Sequence, residues 1–125
     1  MKILVIEDTP ANMKLVCDLL RHSGYTVLSA VDADQGIDLA RQELPDLVLM
    51  DIQLPGMDGI TATRLLKNDE ATRHIKIIAL TAFAMKGDRE KMLAAGCDDY
   101  IAKPIRYKEF LETISVVAGR GRRVG

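Results

Sequence analysis

Three carboxylates close apolar runs in this chain. Asp51 follows Leu47-Val48-Leu49-Met50, and Glu7 and Asp8 follow Ile3-Leu4-Val5-Ile6. A carboxylate at the end of a buried strand is costly unless chemistry beyond the strand uses it. Three of them at one edge repel each other, and a divalent cation would relieve that repulsion. Two more residues stand at comparable places: Thr81 after Ile77-Ile78-Ala79-Leu80, and Lys103 after Tyr100-Ile101-Ala102 and before Pro104. The set suggests phosphoryl transfer onto Asp51. A carboxylate can act as nucleophile and form an aspartyl phosphate. The incoming charge then needs a metal and a positioned cation. In such a site Asp8 and Asp51 would supply oxygens to Mg²⁺, which takes one or two carboxylates with water and phosphate. Glu7 would orient a metal-bound water. Lys103 would pair with Asp51 and then with the phosphoryl oxygens, and the Thr81 hydroxyl would donate to one of them.

Each residue also has a plainer reading. Glu7-Asp8 fits a solvated turn before a helix. Thr81 fits a structural strand end, and Lys103-Pro104 an ordinary loop. The joint pattern weighs against these, because one site explains four strand ends at once.

The elements that must position these residues follow from periodicity. Strand-like runs are Lys2–Ile6, Thr26–Ala30, Leu47–Met50, Lys76–Leu80 and Tyr100–Ala102. Between them lie helical stripes: Val16 and Leu20 beside Leu15 and Leu19; Ala33, Ile37, Ala40 and Leu44; Ile60, Leu65 and Leu66; Met92 and Leu93; and Phe110, Ile114 and Val117. Ser23-Gly24, Pro45-Asp46, Pro55-Gly56, Asp58-Gly59 and Ala95-Gly96 punctuate them. Asp58 suits a helix N-cap, and Gly24 and Gly96 suit positions just past helix ends. Alternating strands and helices imply an α/β fold, (βα)5, with a parallel sheet covered on both faces. Right-handed crossovers make the doubly wound, flavodoxin-like order 2-1-3-4-5 the simplest topology. In such sheets the site lies beyond the strand carboxyl ends, near the switch between strands 1 and 3. Glu7, Asp8 and Asp51 fall at those two ends.

Bulk composition narrows the function. The 125 residues make one domain, and 48% hydrophobic content is enough for a core. A net charge of −1 argues against a nucleic-acid or membrane partner held by charge. No apolar run spans a bilayer and the first residues lack a signal pattern, so a cytoplasmic protein is expected. Cys17 and Cys97 have no metal-ligand or redox spacing and read as buried reduced thiols. His22, near a helix end, and His74, in a polar loop, have no partner in the pattern and read as solvated.

The segments Val5-Ile6-Glu7-Asp8, Asp46 through Gly59, Ala79-Leu80-Thr81-Ala82 and Asp99-Tyr100-Ile101-Ala102-Lys103-Pro104 resemble the receiver domain of two-component response regulators, the CheY-like fold. The resemblance covers nearly the whole chain, from Lys2 to about Val117. Within the family, Asn12-Met13-Lys14-Leu15, Ala82 through Asp88 and Gly96-Cys97 resemble DivK-like single-domain regulators. Receivers of hybrid histidine kinases share much of the same wording. The resemblance implies that Asp51 takes phosphate from a phosphohistidine on a sensor histidine kinase or histidine phosphotransfer protein. It implies that Asp8, Asp51 and the Gln53 carbonyl bind Mg²⁺, with Glu7 acting through water, and that Thr81 and Lys103 read the phosphoryl group. It implies a cis Lys103-Pro104 bond. It also makes Tyr100 a switch aromatic that fills space vacated by Thr81 and alters the surface of helix 4, strand 5 and helix 5, where a downstream protein partner would bind. Tyr100 read without the family is a static core aromatic. Gln53 and Phe83 match variable positions beside the phosphoryl group, and a bulky Phe83 implies slow self-dephosphorylation.

The expected division is a receiver over residues 1–118 and a flexible basic tail over 119–125. With no output module following, the expected output is a protein contact, unless the chain is a receiver cut from a hybrid kinase. Two rivals need features that are absent. A small phosphatase passing through an aspartyl phosphate needs an acid-base carboxylate two residues after Asp51, where Gln53 stands. An FMN carrier needs a Ser/Thr/Gly-rich phosphate cradle after strand 1, where Glu7-Asp8 stands.

Overall fold

The computed structural model describes residues 1–82 and 86–120. Five strands, β1 (Lys2–Ile6), β2 (Thr26–Ala30), β3 (Leu47–Asp51), β4 (Lys76–Thr81) and β5 (Asp99–Ala102), alternate with five helices. The helices are α1 (Pro10–His22), α2 (Ala33–Glu43), α3 (Gly59–Lys67), α4 (Lys86–Ala95) and α5 (Tyr107–Arg120). All four strand pairings are parallel, and the sheet order is β2-β1-β3-β4-β5. This is the CheY-like, doubly wound arrangement that the sequence predicts. Asp51 and Thr81 fall inside β3 and β4 rather than just after them.

The pleat divides the core in two. Leu4, Ile6, Val48, Met50, Ile77 and Ala79 face the layer built by Ala33, Ile37 and Ala40 of α2, Ala62 and Leu66 of α3 and Met92 of α4. Ile3, Val5, Leu47, Leu49, Ile78 and Leu80 face Val16 and Leu20 of α1 and Phe110, Ile114 and Val117 of α5. Alternate residues of a strand point to opposite faces, so a strand covered on both sides reads as an unbroken apolar run. That is why β1, β3 and β4 were legible at once.

Helix ends follow the turn chemistry. The Asp58 side chain accepts from Thr61 N–H at 2.8 Å and caps α3. Gly96 stands just past α4 with φ +110°, which favours glycine. Leu44 differs from expectation. The helical stripe places it on the buried face of α2, but it sits at φ 45° as the helix cap and is about half exposed. Leu15, Leu65 and Leu93 also lie outward. Helix α5 extends to Arg120, two residues into the segment read as tail. Phe83 and residues 121–125 lie outside the described residues.

Candidate functional site

The β1 and β3 carboxyl ends lie side by side, with Ile6 paired to Met50. That pairing brings Glu7, Asp8 and Asp51 together, and one carboxylate oxygen from each lies within 4.8 Å of the others. Glu7 and Asp51 are buried, whereas Asp8 is exposed. Lys103 arrives from the far edge of the sheet. Its Nζ lies 3.1 Å from Asp51 Oδ2 and 3.0 Å from Glu7 Oε1. The Lys103-Pro104 bond is cis. Thr81 is buried at the end of β4, paired with Ala102, and its carbonyl accepts from Lys103 N–H at 2.8 Å. All five candidate positions thus meet at one edge.

The loops add fixed donors. Gln53 N–H donates to Asp51 Oδ1 at 2.9 Å, and Thr9 N–H donates to Glu7 Oε2 at 3.2 Å. Gly59 N–H donates to the Ile52 carbonyl at 3.1 Å, seating α3 against the turn after Asp51. A Cβ on Gly59 would run into the Asp51 carbonyl oxygen and come within 2.7 Å of Ile52 Cα. The glycine is required by this close approach, since both neighbours are backbone.

Charge in the site is unevenly shared. Burial raises the Glu7 carboxyl to about 7, and a hydrogen bond with Asp51 adds to the rise against the opposing pull of Lys103. For Asp51, burial acts to raise the carboxyl. The hydrogen bond from Glu7, the Gln53 N–H and Lys103 outweigh it and hold Asp51 below the usual carboxylate range. Burial acts to lower Lys103, but the two carboxylates keep it above its ordinary value. Of the two carboxyls, Asp51 is thus biased toward the charged form and Glu7 toward the protonated one.

Glu7 Oε1 is buried and has no hydrogen-bond partner among the described residues. It is 3.0 Å from Lys103 Nζ, an ion-pair contact. A buried carboxylate oxygen without a directed donor, in an all-oxygen set of three acids, fits a hard divalent cation such as Mg²⁺.

Tyr100 lies in β5, half-buried against the α2–α3–α4 layer, with the Arg89 guanidinium 5.8 Å from its ring centroid. It lines a surface cavity of about 300 Å³ with Lys103, Arg106, Glu109 and Thr113. Cys17 and Cys97 are free and buried, as read. His22 and His74 are exposed and away from the acidic cluster. Features that escaped the sequence reading include the second contact of Lys103, to Glu7; the packing of Gly59 on the backbone of Asp51 and Ile52; and Arg89 over Tyr100. Asp58-Gly59 marked a turn but carried no signal of what the glycine touches.

Residues 3–115 match the family model described as response regulator receiver domain. The polar-differentiation response regulator DivK of Brucella ovis is 49% identical over 117 residues, covering 94% of this chain and 95% of that protein. The receiver domain of a sensor histidine kinase from Pseudomonas aeruginosa PAO1, crystallised with a magnesium ion coordinated in its active-site cleft, is 41% identical with a TM-score of 0.88. That match covers 94% of this chain and 97% of the other. A CheY-like receiver domain protein from Methanospirillum hungatei JF-1 is 29% identical, with a TM-score of 0.91 and coverage of 99% and 98%. Sequence and fold agree, and the chain belongs to the response regulator receiver domain family of two-component signalling.

Proposed function

We propose that Asp51 is the phosphoacceptor of a DivK-like response regulator. The observation that carries the reading is a buried Asp51 with Lys103 Nζ at 3.1 Å, within a three-carboxylate cluster. The donor is a phosphohistidine on a sensor kinase or histidine phosphotransfer protein. An Asp51 oxygen attacks phosphorus as the P–N bond breaks. The electron pair passes to an imidazole already protonated on its other nitrogen, which leaves neutral. Asp8, Asp51 and the Gln53 carbonyl would hold Mg²⁺, with Glu7 acting through water. The ion, when bound, neutralises charge on the transferring group. Lys103 holds Asp51 in line beforehand and then takes the phosphoryl charge. Thr81, buried at the β4 end, donates its hydroxyl to a phosphoryl oxygen.

Output follows as a population shift between two packings, in which phosphate favours one. Tyr100 reports the state of Thr81 to the face of α4, β5 and α5, where a protein partner docks. The domain is the receiver read over residues 1–118, with its last helix continuing to Arg120. Turnover of outside phosphoesters is not expected, because Gln53 cannot exchange a proton where a phosphatase needs an acid. The kinase-receiver reading keeps support from the 41% identical Pseudomonas aeruginosa domain. The DivK-like reading is favoured by 49% identity along almost the whole of both chains. The test is transfer from a phosphorylated histidine phosphotransfer domain. Label moves to the wild-type chain and not to Asp51→Asn, and Lys103→Ala slows it. Equal transfer to Asp51→Asn would refute the assignment.

A further inference from the structure

Gln53 touches the site twice in the resting chain. Its backbone N–H donates to Asp51 Oδ1, and its side-chain Oε1 accepts from the Ala82 N–H at 3.3 Å. Ala82 directly follows Thr81, whose β5 partner Ala102 precedes Lys103. One exposed side chain therefore crosses the mouth of the site, from the turn after β3 to the end of β4. The atom it places there is a carbonyl oxygen, and the group it occupies is a backbone donor beside the acceptor.

A phosphoryl group on Asp51 brings three charged oxygens into this space, and each needs a donor or a cation. Lys103, and a metal held at the acidic edge, would serve the side of β1 and β5. On the β4 side the Ala82 N–H stands next to Thr81, and in the resting chain that donor is already taken. A carboxamide oxygen resembles a phosphoryl oxygen in hydrogen bonding but carries no full charge, so a phosphate can displace it.

We propose that the Gln53 side chain is a stand-in for a phosphoryl oxygen, holding the Ala82 N–H until the phosphoryl group displaces it. Gln53 is a positioning residue here, acting through Ala82. The proposal rests on Asp51 being the phosphoacceptor. Its consequence is a bias toward the resting state, because phosphorylation must first give up the Gln53–Ala82 hydrogen bond. A neutral hydrogen bond of ordinary net strength sets that bias at about two- to tenfold in binding constant.

The probe is beryllofluoride with Mg²⁺, which adds to a carboxylate as a tetrahedral phosphoryl mimic. It does not hydrolyse as an acyl phosphate does, so water access drops out of the reading. Affinity is measured on the full chain for wild type, Gln53→Met and Gln53→Glu. The Ala82 amide is followed by ¹H–¹⁵N NMR. Gln53→Met keeps side-chain length and loses the oxygen, so it should bind beryllofluoride about two- to tenfold tighter. Its resting Ala82 amide should exchange with solvent faster than in wild type. Gln53→Glu puts a charged oxygen on the same donor and should bind more weakly. Wild type that binds the probe while Gln53→Met binds no tighter overturns the stand-in alone. Wild type that fails to bind it with Mg²⁺ overturns the phosphoacceptor reading and the stand-in with it.

Discussion

Mg²⁺ binding by this site should be strongly pH-dependent, and Glu7 should be the cause. Burial, then the hydrogen bond with Asp51, raises Glu7 from its ordinary 4.5 to about 7. At pH 6 roughly nine in ten Glu7 side chains are then protonated, and at pH 8 roughly one in ten. A metal in the cluster draws on the charge of all three carboxylates, so its binding expels that proton. Affinity should fall by up to about tenfold per pH unit below 7 and level off above it. Stability moves the opposite way without metal. A raised Glu7 contributes stability that is complete below 4.5 and lost as pH rises through about 7. Asp51, held low, contributes stability present above its ordinary 3.8 and lost as pH falls through its folded value. The metal-free protein should therefore lose stability from pH 4.5 to 7, while the metal-bound protein regains it. At saturating metal each tenfold gain in affinity adds about 1.4 kcal/mol, or roughly 4–7 °C in Tm for a chain of this size. Melting curves across Mg²⁺ concentrations at pH 6, 7 and 8 measure this. Calorimetry in buffers of different ionisation heat counts the protons released. Glu7→Gln should flatten the profile. A wild-type affinity constant from pH 6 to 8, or an equal slope in Glu7→Gln, would refute the reasoning.

Three further outcomes follow from the geometry. Gly59→Ala forces a Cβ into the Asp51 and Ile52 backbone and should cost about 1–3 kcal/mol in urea unfolding. Because the displaced atoms belong to Asp51, the proposed phosphoacceptor, phosphorylation should slow as well; an unchanged midpoint would show that the turn yields freely. Asp58→Ala removes the α3 cap and should cost about 0.5–2 kcal/mol, with Asp58→Asn recovering most of it in the same melts. Phe110→Ala, at a fully buried position of α5 facing the sheet, should cost about 3–5 kcal/mol, read as a drop in the urea midpoint at constant m.

The sheet was legible because its strands are buried on both faces and read as plain apolar runs. Such runs end sharply where chemistry begins, and that contrast exposed Glu7, Asp8 and Asp51. Thr81 and Lys103 were found the same way, as polar residues at strand ends where apolar ones would continue the core. Helix ends were less legible. Leu44 continues the α2 stripe by spacing, yet it takes the left-handed cap, because periodicity does not report where the backbone turns. Leu65 and Leu93 show the same limit: a stripe gives a face, not its edges. Contacts made by long side chains were not legible at all. Lys103 reaching Glu7, Gln53 reaching Ala82 and Arg89 lying over Tyr100 depend on register and rotamer between segments far apart in sequence. Among the described residues no helix is long and apolar enough to cross a membrane, in line with the absence of a spanning run.

The most direct measurement is intact-protein mass after incubation with acetyl phosphate, with and without Mg²⁺, for wild type and Asp51→Asn. The account predicts one added phosphoryl group on wild type, dependent on Mg²⁺ and absent from Asp51→Asn. An equal addition to Asp51→Asn, or none to wild type from either acetyl phosphate or a phosphohistidine donor, would contradict it.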